Sequence, residues 1–159
     1  MIRFISKSPE ETIKIAMQLS KYILPGSIIC LSGDLGAGKT AFTQGLGKGL
    51  GITDHITSPS YTIINEYYTA SMPLYHFDVY RLESPDEIFE LGCDEYFFGE
   101  GVTIIEWAEK IKEVLPKEKL WITIKYGKKP NERVISMNAY GNKNKAILKE
   151  MRTYENTGH

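Results

Sequence analysis

The chain has 159 residues, of which 42% are hydrophobic and 25% are charged, and its formal net charge is −1. This is the composition of a globular domain, and a chain near neutrality has no bulk attraction for nucleic acid, so a DNA-binding protein is not expected. No apolar run approaches the about 20 residues that a membrane span needs, and the N-terminal residues lack a signal-peptide core. The two cysteines, Cys30 and Cys93, lack metal-ligand spacing. We therefore expect a cytoplasmic protein with no membrane partner.

Strands and helices alternate along the chain. Strands are predicted over residues 2–5, 27–32, 61–69, 74–80, 102–105, 120–126 and 133–138. Helices are predicted over residues 9–22, 39–50, 85–92, 108–114 and 143–152, the first and third beginning with capping-box patterns. The first helix is predicted to turn Ile13, Ala16 and Met17 inward, and the glycines of the second are expected to permit close packing. This alternation indicates an α/β sandwich.

A phosphate-binding motif lies between the second strand and the second helix. Residues 33–40 match Gly-x-x-x-x-Gly-Lys-[Ser/Thr] in full, in the strand–loop–helix context that confirms the motif. Its glycines let backbone N–H groups approach phosphate oxygens, and the helix N-terminus adds partial positive charge. Lys39 is predicted to reach the β- and γ-phosphates, and Thr40 to ligate Mg²⁺. The residues expected to contact the nucleotide are Leu35, Gly36, Ala37, Gly38, Lys39 and Thr40.

The motif narrows the fold prediction to a P-loop NTPase-like three-layer α/β/α sandwich with a mixed, mainly parallel sheet. We predict one ATPase domain over residues 1–140 and a basic C-terminal helix or tail over residues 141–159. Guanine-specific proteins usually carry Asn-Lys-x-Asp, whereas the Asn142-Lys143-Asn144-Lys145 sequence here lacks the aspartate. The expected nucleotide is therefore ATP rather than GTP.

Two acidic residues end predicted strands, Asp78 and Glu106. A P-loop site needs such a carboxylate beside Mg²⁺ and the attacking water, although either acid is also explained as an exposed strand terminus. His76 points to the same strand face as Asp78, either to orient the site or as an ordinary buried histidine. Trp107 either packs beside the nucleotide or belongs to the core. The hydroxyl-rich loop over residues 57–62 occupies the place of a GTPase switch loop, or is a plain connection.

Charge is segregated along the chain. Residues 78–109 hold ten acids and one base, whereas residues 110–159 hold twelve bases and five acids. Solvated faces of opposite sign account for this pattern, and docking surfaces for charged partners are the alternative.

Four segments together resemble the bacterial TsaE family, also called YjeE. They are the P-loop at 33–40, Ser58-Pro59-Ser60-Tyr61-Thr62, His76-Phe77-Asp78-Val79-Tyr80-Arg81-Leu82, and Glu106-Trp107, in the family's order and spacing over about residues 1–138. The chain departs from the family pattern in having Ser60 where threonine is frequent and Ala108 where proline is frequent, and its tail from Gly141 onward matches no pattern.

The resemblance implies an ATPase required to form threonylcarbamoyladenosine beside the anticodon of tRNA. It implies TsaB and TsaD as partners, with tRNA reached through their complex. Because no obvious arginine finger or catalytic base is complete within the chain, we expect the isolated chain to hydrolyse ATP slowly. By the same resemblance Lys39, Asp78 and Glu106 would serve catalysis, Thr40 and Glu106 would ligate Mg²⁺, and Thr12 and Arg133 would contact ATP. From the residues alone, Thr12 and Arg133 are both predicted to be surface residues.

Two other functions are weighed against this one. A small-molecule kinase would use the same P-loop, but phosphoryl transfer is usually supported by several arginines on a mobile lid, and this chain has only four arginines and no arginine-rich insertion. A nucleotide-binding module that docks a partner without hydrolysis differs from the ATPase only in degree.

Overall fold

The computed structural model describes residues 1–59 and 61–157. Its strands are β1 (Ile2–Ser6), β2 (Ile28–Ser32), β3 (Ile64–Tyr67), β4 (Leu74–Asp78), β5 (Val102–Glu106), β6 (Lys119–Tyr126) and β7 (Arg133–Tyr140). Its helices are α1 (Pro9–Ser20), α2 (Lys39–Gly49), α3 (Cys93–Phe97) and α4 (Asn142–Asn156), with 3₁₀ helices over Pro85–Leu91 and Ala108–Val114. In this part of the chain, no helix has both the length and the apolar character needed to cross a bilayer.

The described strands form one seven-stranded sheet in the order β1-β7-β6-β2-β5-β4-β3. Strands β6, β2, β5 and β4 are paired in parallel, and β1, which pairs antiparallel with β7, runs in the same direction as these four. Strands β3 and β7 run the opposite way. The predicted mixed, mainly parallel sheet is therefore confirmed.

Helical segments cover both faces of the sheet and make three layers. On one face α1, α2 and α4 pack into a core that includes Leu19, Phe42 and Met151. On the other face α3 and the two 3₁₀ helices pack around Ile88, Phe97 and Ile111. Strands β2 and β5 are buried along their whole length, because a parallel strand between two helical layers meets no solvent.

Helix α1 begins as predicted, but its buried face differs from the prediction. The Ser8 hydroxyl accepts the Glu11 N–H at 3.1 Å, which is the predicted N-cap. Ala16 is buried as predicted, whereas Ile13 and Met17 are only half-buried and Ile15 and Leu19 fill the core. Both stripes of apolar residues fit a helical period. The side of α1 that carries Ile13 and Ala16 lies against Gly45 of α2, whereas Ile15 and Leu19 belong to the buried core.

The glycines of α2 make its close contacts possible. A Cβ at Gly45 would lie 2.5 Å from the Ile13 carbonyl oxygen and 2.8 Å from the Ala16 Cβ. A Cβ at Gly47 would instead overlap the terminal methyl of Ile56. The expectation that these glycines permit close packing is confirmed.

Several other elements differ from their predicted length or type. The strand predicted over residues 61–69 is four residues long, because the chain turns before Ile64. The helices predicted over 85–92 and 108–114 are 3₁₀ rather than α, and α3 was not predicted. The predicted C-terminal helix is present, and it buries Ile147, Leu148 and Met151.

Candidate nucleotide site

The candidate site lies at one edge of the sheet, where β2, β4 and β5 end side by side. These three strands are parallel, so their carboxyl ends meet at the same edge, which is where open α/β sheets form ligand clefts. Strand β2 leads into the P-loop, β4 ends at Asp78, and β5 ends at Glu106. A cavity of about 460 Å³ opens here. It is lined by Leu35, Gly36, Gly38, Lys39, Thr40, Ala41, Ser58, Asp78, Tyr80, Arg81, Glu106 and Trp107.

The P-loop backbone requires glycine at three positions. Gly33, Gly36 and Gly38 have φ values of 145°, 76° and 114°, a region that residues with a side chain rarely occupy. Gly38 is the N-cap of α2, and the N-terminus of the helix faces the cavity because Gly38, Lys39 and Thr40 line it. The sequence therefore forms the concave loop of backbone N–H groups that accommodates anions.

Lys39 lies folded against the loop that carries it. Its Nζ donates to the carbonyl oxygens of Gly33 at 2.6 Å and Asp34 at 2.8 Å, and lies 3.9 Å from the centre of the Trp107 ring. Burial lowers the pKa of Lys39, while nearby carboxylates, Glu109 foremost, oppose that shift. The ammonium group thus sits inside the cavity beside an aromatic face, within the loop that would surround phosphates.

Trp107 is part of this cavity rather than an ordinary core aromatic. Its backbone is left-handed, with φ 63°, which is uncommon for a bulky residue and occurs at functional sites. This turn directly after β5 places the ring over Lys39 and 4.7 Å, between centroids, from the Tyr80 ring.

Glu106 joins the P-loop helix to the sheet. The carboxylate is 2% exposed and accepts the Thr40 hydroxyl at 3.1 Å on Oε1. On Oε2 it meets His76 Nε2 at 2.5 Å and the Thr43 hydroxyl at 3.4 Å. Thr43 was missed in the sequence, although its position three residues after Thr40 places both hydroxyls on one side of α2.

Asp78 is paired with Glu106 in the β4–β5 register, so the two predicted acids stand side by side. The Asp78 carboxylate accepts the Ser58 hydroxyl at 2.8 Å and the Tyr80 N–H at 3.0 Å. Neither acid is an exposed strand terminus, because Asp78 is 4% and Glu106 2% exposed.

The loop before β3 contacts the site through Ser58. The loop is also tied to α2, because the Gln44 amide donates to the Ile56 carbonyl at 2.9 Å. Ser60, one of the two residues at which the sequence departs from the family pattern, lies outside the described residues. A larger cavity of about 590 Å³ lies between α2 and residues 51–56, but no P-loop residue lines it.

The β6–β7 hairpin supports the P-loop from the other side. Arg133 Nε donates to the Ala37 carbonyl at 3.2 Å, and its guanidinium lies 4.5 Å from the centre of the Tyr126 ring. The Tyr126 hydroxyl donates to the Leu35 carbonyl at 2.6 Å. Tyr126 was not predicted as a site residue, because its place in a strand carries no signal of a contact made across 91 residues.

Thr12 and Arg133 are not the surface residues that their sequence context predicts. Thr12 is 2% exposed, and its hydroxyl is hydrogen-bonded to that of Ser6 at 2.7 Å. Ser6 pairs with Arg133 in the β1–β7 register, and Arg133 is half-buried. The sheet thus links Thr12, through Ser6 and Arg133, to the P-loop at Ala37, although these residues do not line the cavity.

The residues of the cavity fit a nucleotide phosphate chain with Mg²⁺. The loop presents backbone N–H groups and a lysine, and the Thr40 hydroxyl and Glu106 carboxylate are 3.1 Å apart, which makes a pair of hard oxygen donors. Among residues 1–59 and 61–157 there is no group of three or more His, Cys, Asp or Glu arranged to hold a metal. This suits Mg²⁺, which takes one or two protein ligands and fills its shell with phosphate and water.

Comparison with known proteins gives a consistent result. The family model described as "Threonylcarbamoyl adenosine biosynthesis protein TsaE" matches residues 6–135. The tRNA threonylcarbamoyladenosine biosynthesis protein TsaE of Bacillus subtilis is 46% identical over 155 residues, which cover 98% of this chain and 96% of that protein. The protein of the same name from Treponema pallidum is 39% identical over 124 residues, covering 78% and 91%.

A solved structure agrees with these sequence matches. The crystal structure of YdiB from Bacillus subtilis superposes with a TM-score of 0.84 at 43% sequence identity, covering 97% of this chain and 95% of the other. The fold and the order of its elements are therefore those of an experimentally determined protein.

Proposed function

The chain belongs to the TsaE family of tRNA threonylcarbamoyladenosine biosynthesis, and on this basis we propose that it is a Mg²⁺-dependent ATPase of that pathway. It acts in the cytoplasm with the TsaB and TsaD proteins, and its hydrolysis of ATP keeps their complex active. Contact with tRNA is made through that complex. The similarity to TsaE proteins supports the pathway, and the residues that line the P-loop cavity support the ATPase chemistry.

One observation carries the ATPase proposal. The phosphate loop, the Thr40 hydroxyl and the carboxylates of Glu106 and Asp78 converge on one cavity, from three neighbouring strand ends. A loop that merely resembled the motif would not bring two buried carboxylates beside its Thr and Lys. This is the set of groups that P-loop ATPases use.

Each group has a task that its position supports. Lys39 turns from the carbonyls of its own loop towards the β- and γ-phosphates and neutralises their charge. Thr40 and Glu106 would hold Mg²⁺, which would neutralise phosphate charge when bound. Asp78 orients the attacking water, since its carboxylate lies in the same cavity and is held by Ser58 and the Tyr80 N–H.

The remaining contacts position the nucleotide. Backbone groups from Leu35 to Gly38 surround the phosphates, and Arg133 fixes that loop through the Ala37 carbonyl. Arg133 lies outside the cavity and would contact the part of the nucleotide that extends beyond it. Thr12 is buried, so its contribution is indirect, through Ser6 and the pairing of Ser6 with Arg133.

The isolated chain is proposed to hydrolyse ATP slowly. Arg81 lines the cavity, and its guanidinium lies 4.5 Å from the centre of the Tyr61 ring. Among residues 1–59 and 61–157, no carboxylate forms an ion pair with Arg81 that would aim it at phosphate. A transition-state arginine is worth about 10³–10⁵ in rate in related phosphate chemistry, so its absence leaves a slow enzyme that a partner can accelerate.

The test is ATP hydrolysis by the purified chain, measured alone and with TsaB and TsaD. We expect slow turnover that needs Mg²⁺ and rises when both partners are added. Fast turnover by the chain alone would contradict partner dependence. Absence of ATP binding would contradict the site assignment.

A further inference from the structure

The buried histidine behind the cavity contacts the site without lining it. His76 lies on β4, is 0% exposed, and shares its sheet face with Leu74 and Asp78. The register pairs His76 with Ile104, so Glu106 is its diagonal neighbour on β5. His76 therefore reaches Glu106 from the core side, opposite the cavity.

The two oxygens of Glu106 have different neighbours. Oε2 faces the core, where His76 Nε2 lies at 2.5 Å and the Thr43 hydroxyl at 3.4 Å. Oε1 faces the cavity and the Thr40 hydroxyl. A carboxylate held on one oxygen has a fixed rotation, so its other oxygen has a fixed direction.

The second nitrogen of His76 shows which contact the residue serves. Within the part of the chain that the structure describes, Nδ1 is buried and has no hydrogen-bond partner. A neutral imidazole that donates from Nε2 keeps only a lone pair on Nδ1. An apolar side chain would fill the space without an unpaired polar atom, so packing alone does not account for histidine here. The Nε2–Glu106 contact does.

We propose that His76 is a positioning residue for the metal-binding carboxylate. By donating to Oε2 it turns Oε1 of Glu106 towards Thr40, where the two oxygens hold the Mg²⁺ of bound Mg-ATP. The inference rests on the proposed function, because it assigns a support to the metal side of that site. Thr43 is not the main support, because its hydroxyl has a single proton and lies closer to the Lys39 carbonyl, at 3.0 Å, than to Oε2, at 3.4 Å.

The test separates metal affinity from nucleotide affinity. Mg²⁺ is titrated into each variant in the presence of saturating AMP-PNP, and AMP-PNP binding is measured separately in EDTA. His76→Leu is expected to weaken Mg²⁺ binding about tenfold, the lower end of the range for outer-shell partners of metal ligands. AMP-PNP affinity in EDTA is expected to stay unchanged, because Lys39 and the loop are untouched.

Two polar replacements test whether the side chain at position 76 must reach Glu106 or need only be polar. His76→Gln carries an amide near the position of Nε2 and is expected to restore most of the Mg²⁺ affinity. His76→Asn carries its amide near the position of Nδ1, cannot reach Glu106, and is expected to behave as His76→Leu. This pair keeps the inference testable if His76→Leu fails to fold.

Two controls test whether His76 changes Mg²⁺ affinity through Glu106. Thr103→Val removes a buried hydroxyl from the opposite face of β5, where it donates to the Tyr96 carbonyl, and is expected to leave Mg²⁺ affinity unchanged. In the Glu106→Gln background, His76→Leu is expected to cause no further loss, because coupled residues are not additive.

Equal Mg²⁺ affinity in His76→Leu and the wild type would overturn the inference and leave the ATP site standing. So would equal losses in His76→Gln and His76→Asn, or a loss of AMP-PNP binding in EDTA that matches the loss with Mg²⁺. Equal AMP-PNP affinity of the wild type in Mg²⁺ and in EDTA would overturn the proposed metal site itself.

Discussion

Gly45 on α2 is predicted to be a packing position whose replacement by alanine destabilises the fold. The added Cβ would lie 2.5 Å from the Ile13 carbonyl oxygen and 2.8 Å from both the Ile13 Cα and the Ala16 Cβ. The first two of these atoms belong to the backbone of α1, so the helices must separate. Overpacking of this kind costs about 1–3 kcal/mol.

An opposing term favours alanine. Replacing a glycine inside a helix stabilises it by about 1 kcal/mol. At Gly45 the cost of overpacking exceeds the gain in helix propensity, so we expect a net loss of about 1 kcal/mol in the free energy of unfolding.

Gly47 on the same helix is the matched control. Its Cβ would meet the terminal methyl of Ile56, the far end of a side chain, rather than backbone. Moving that methyl costs about 0.5–1.5 kcal/mol, which the helix-propensity gain of about 1 kcal/mol offsets. Gly47→Ala is therefore expected to be close to neutral.

The assay is urea unfolding of the wild type and both variants, followed by circular dichroism. Gly45→Ala should lower the midpoint with an unchanged slope, and its melting temperature should fall by about 2–4 °C. Gly45→Ala as stable as Gly47→Ala, or more stable than the wild type, would refute the packing argument.

Three further predictions concern the site and the surface. Lys39→Ala should weaken ATP binding about tenfold or more, since a hydrogen bond to a charged group is worth about 1.5–3 kcal/mol; unchanged affinity in a titration would count against the site. Asp78→Ala should reduce turnover more than ATP affinity, and equal losses would count against its role in hydrolysis. Association with TsaB and TsaD should weaken between about 0.1 M and 1 M salt, as the Debye length falls from about 10 Å to 3 Å; binding insensitive to salt would remove the docking role of the segregated charges.

The phosphate loop and the two acids could be predicted because their signals are local. The P-loop is a contiguous pattern, and Asp78 and Glu106 each end an apolar run whose direction follows from the fold class. Parallel strands end at one edge, so placing both acids beside the loop needs no tertiary detail.

Features set by distant contacts could not be predicted in the same way. Two apolar stripes of α1 fit a helical period, so Ile15 and Leu19 could not be chosen over Ile13 and Met17 from periodicity alone. Burial of Thr12 depends on Ser6 and on the β1–β7 pairing. The residues around Thr12 in the sequence do not indicate either interaction.

The hydrogen bonds around Glu106, within the site, could not be predicted from the sequence either. His76 was a candidate because it alternates with Asp78, yet its partner lies on β5, 30 residues away. The connection needs the register of two strands and the position of α2, which only the folded chain supplies.

Reconstitution of tRNA modification from the purified partner proteins, ATP, threonine and bicarbonate, with and without this chain, tests its role in the pathway. Threonylcarbamoyladenosine is expected to accumulate over repeated cycles only when the chain is present, and Lys39→Ala is expected not to replace it. Equal accumulation without the chain would contradict its assigned role in the pathway.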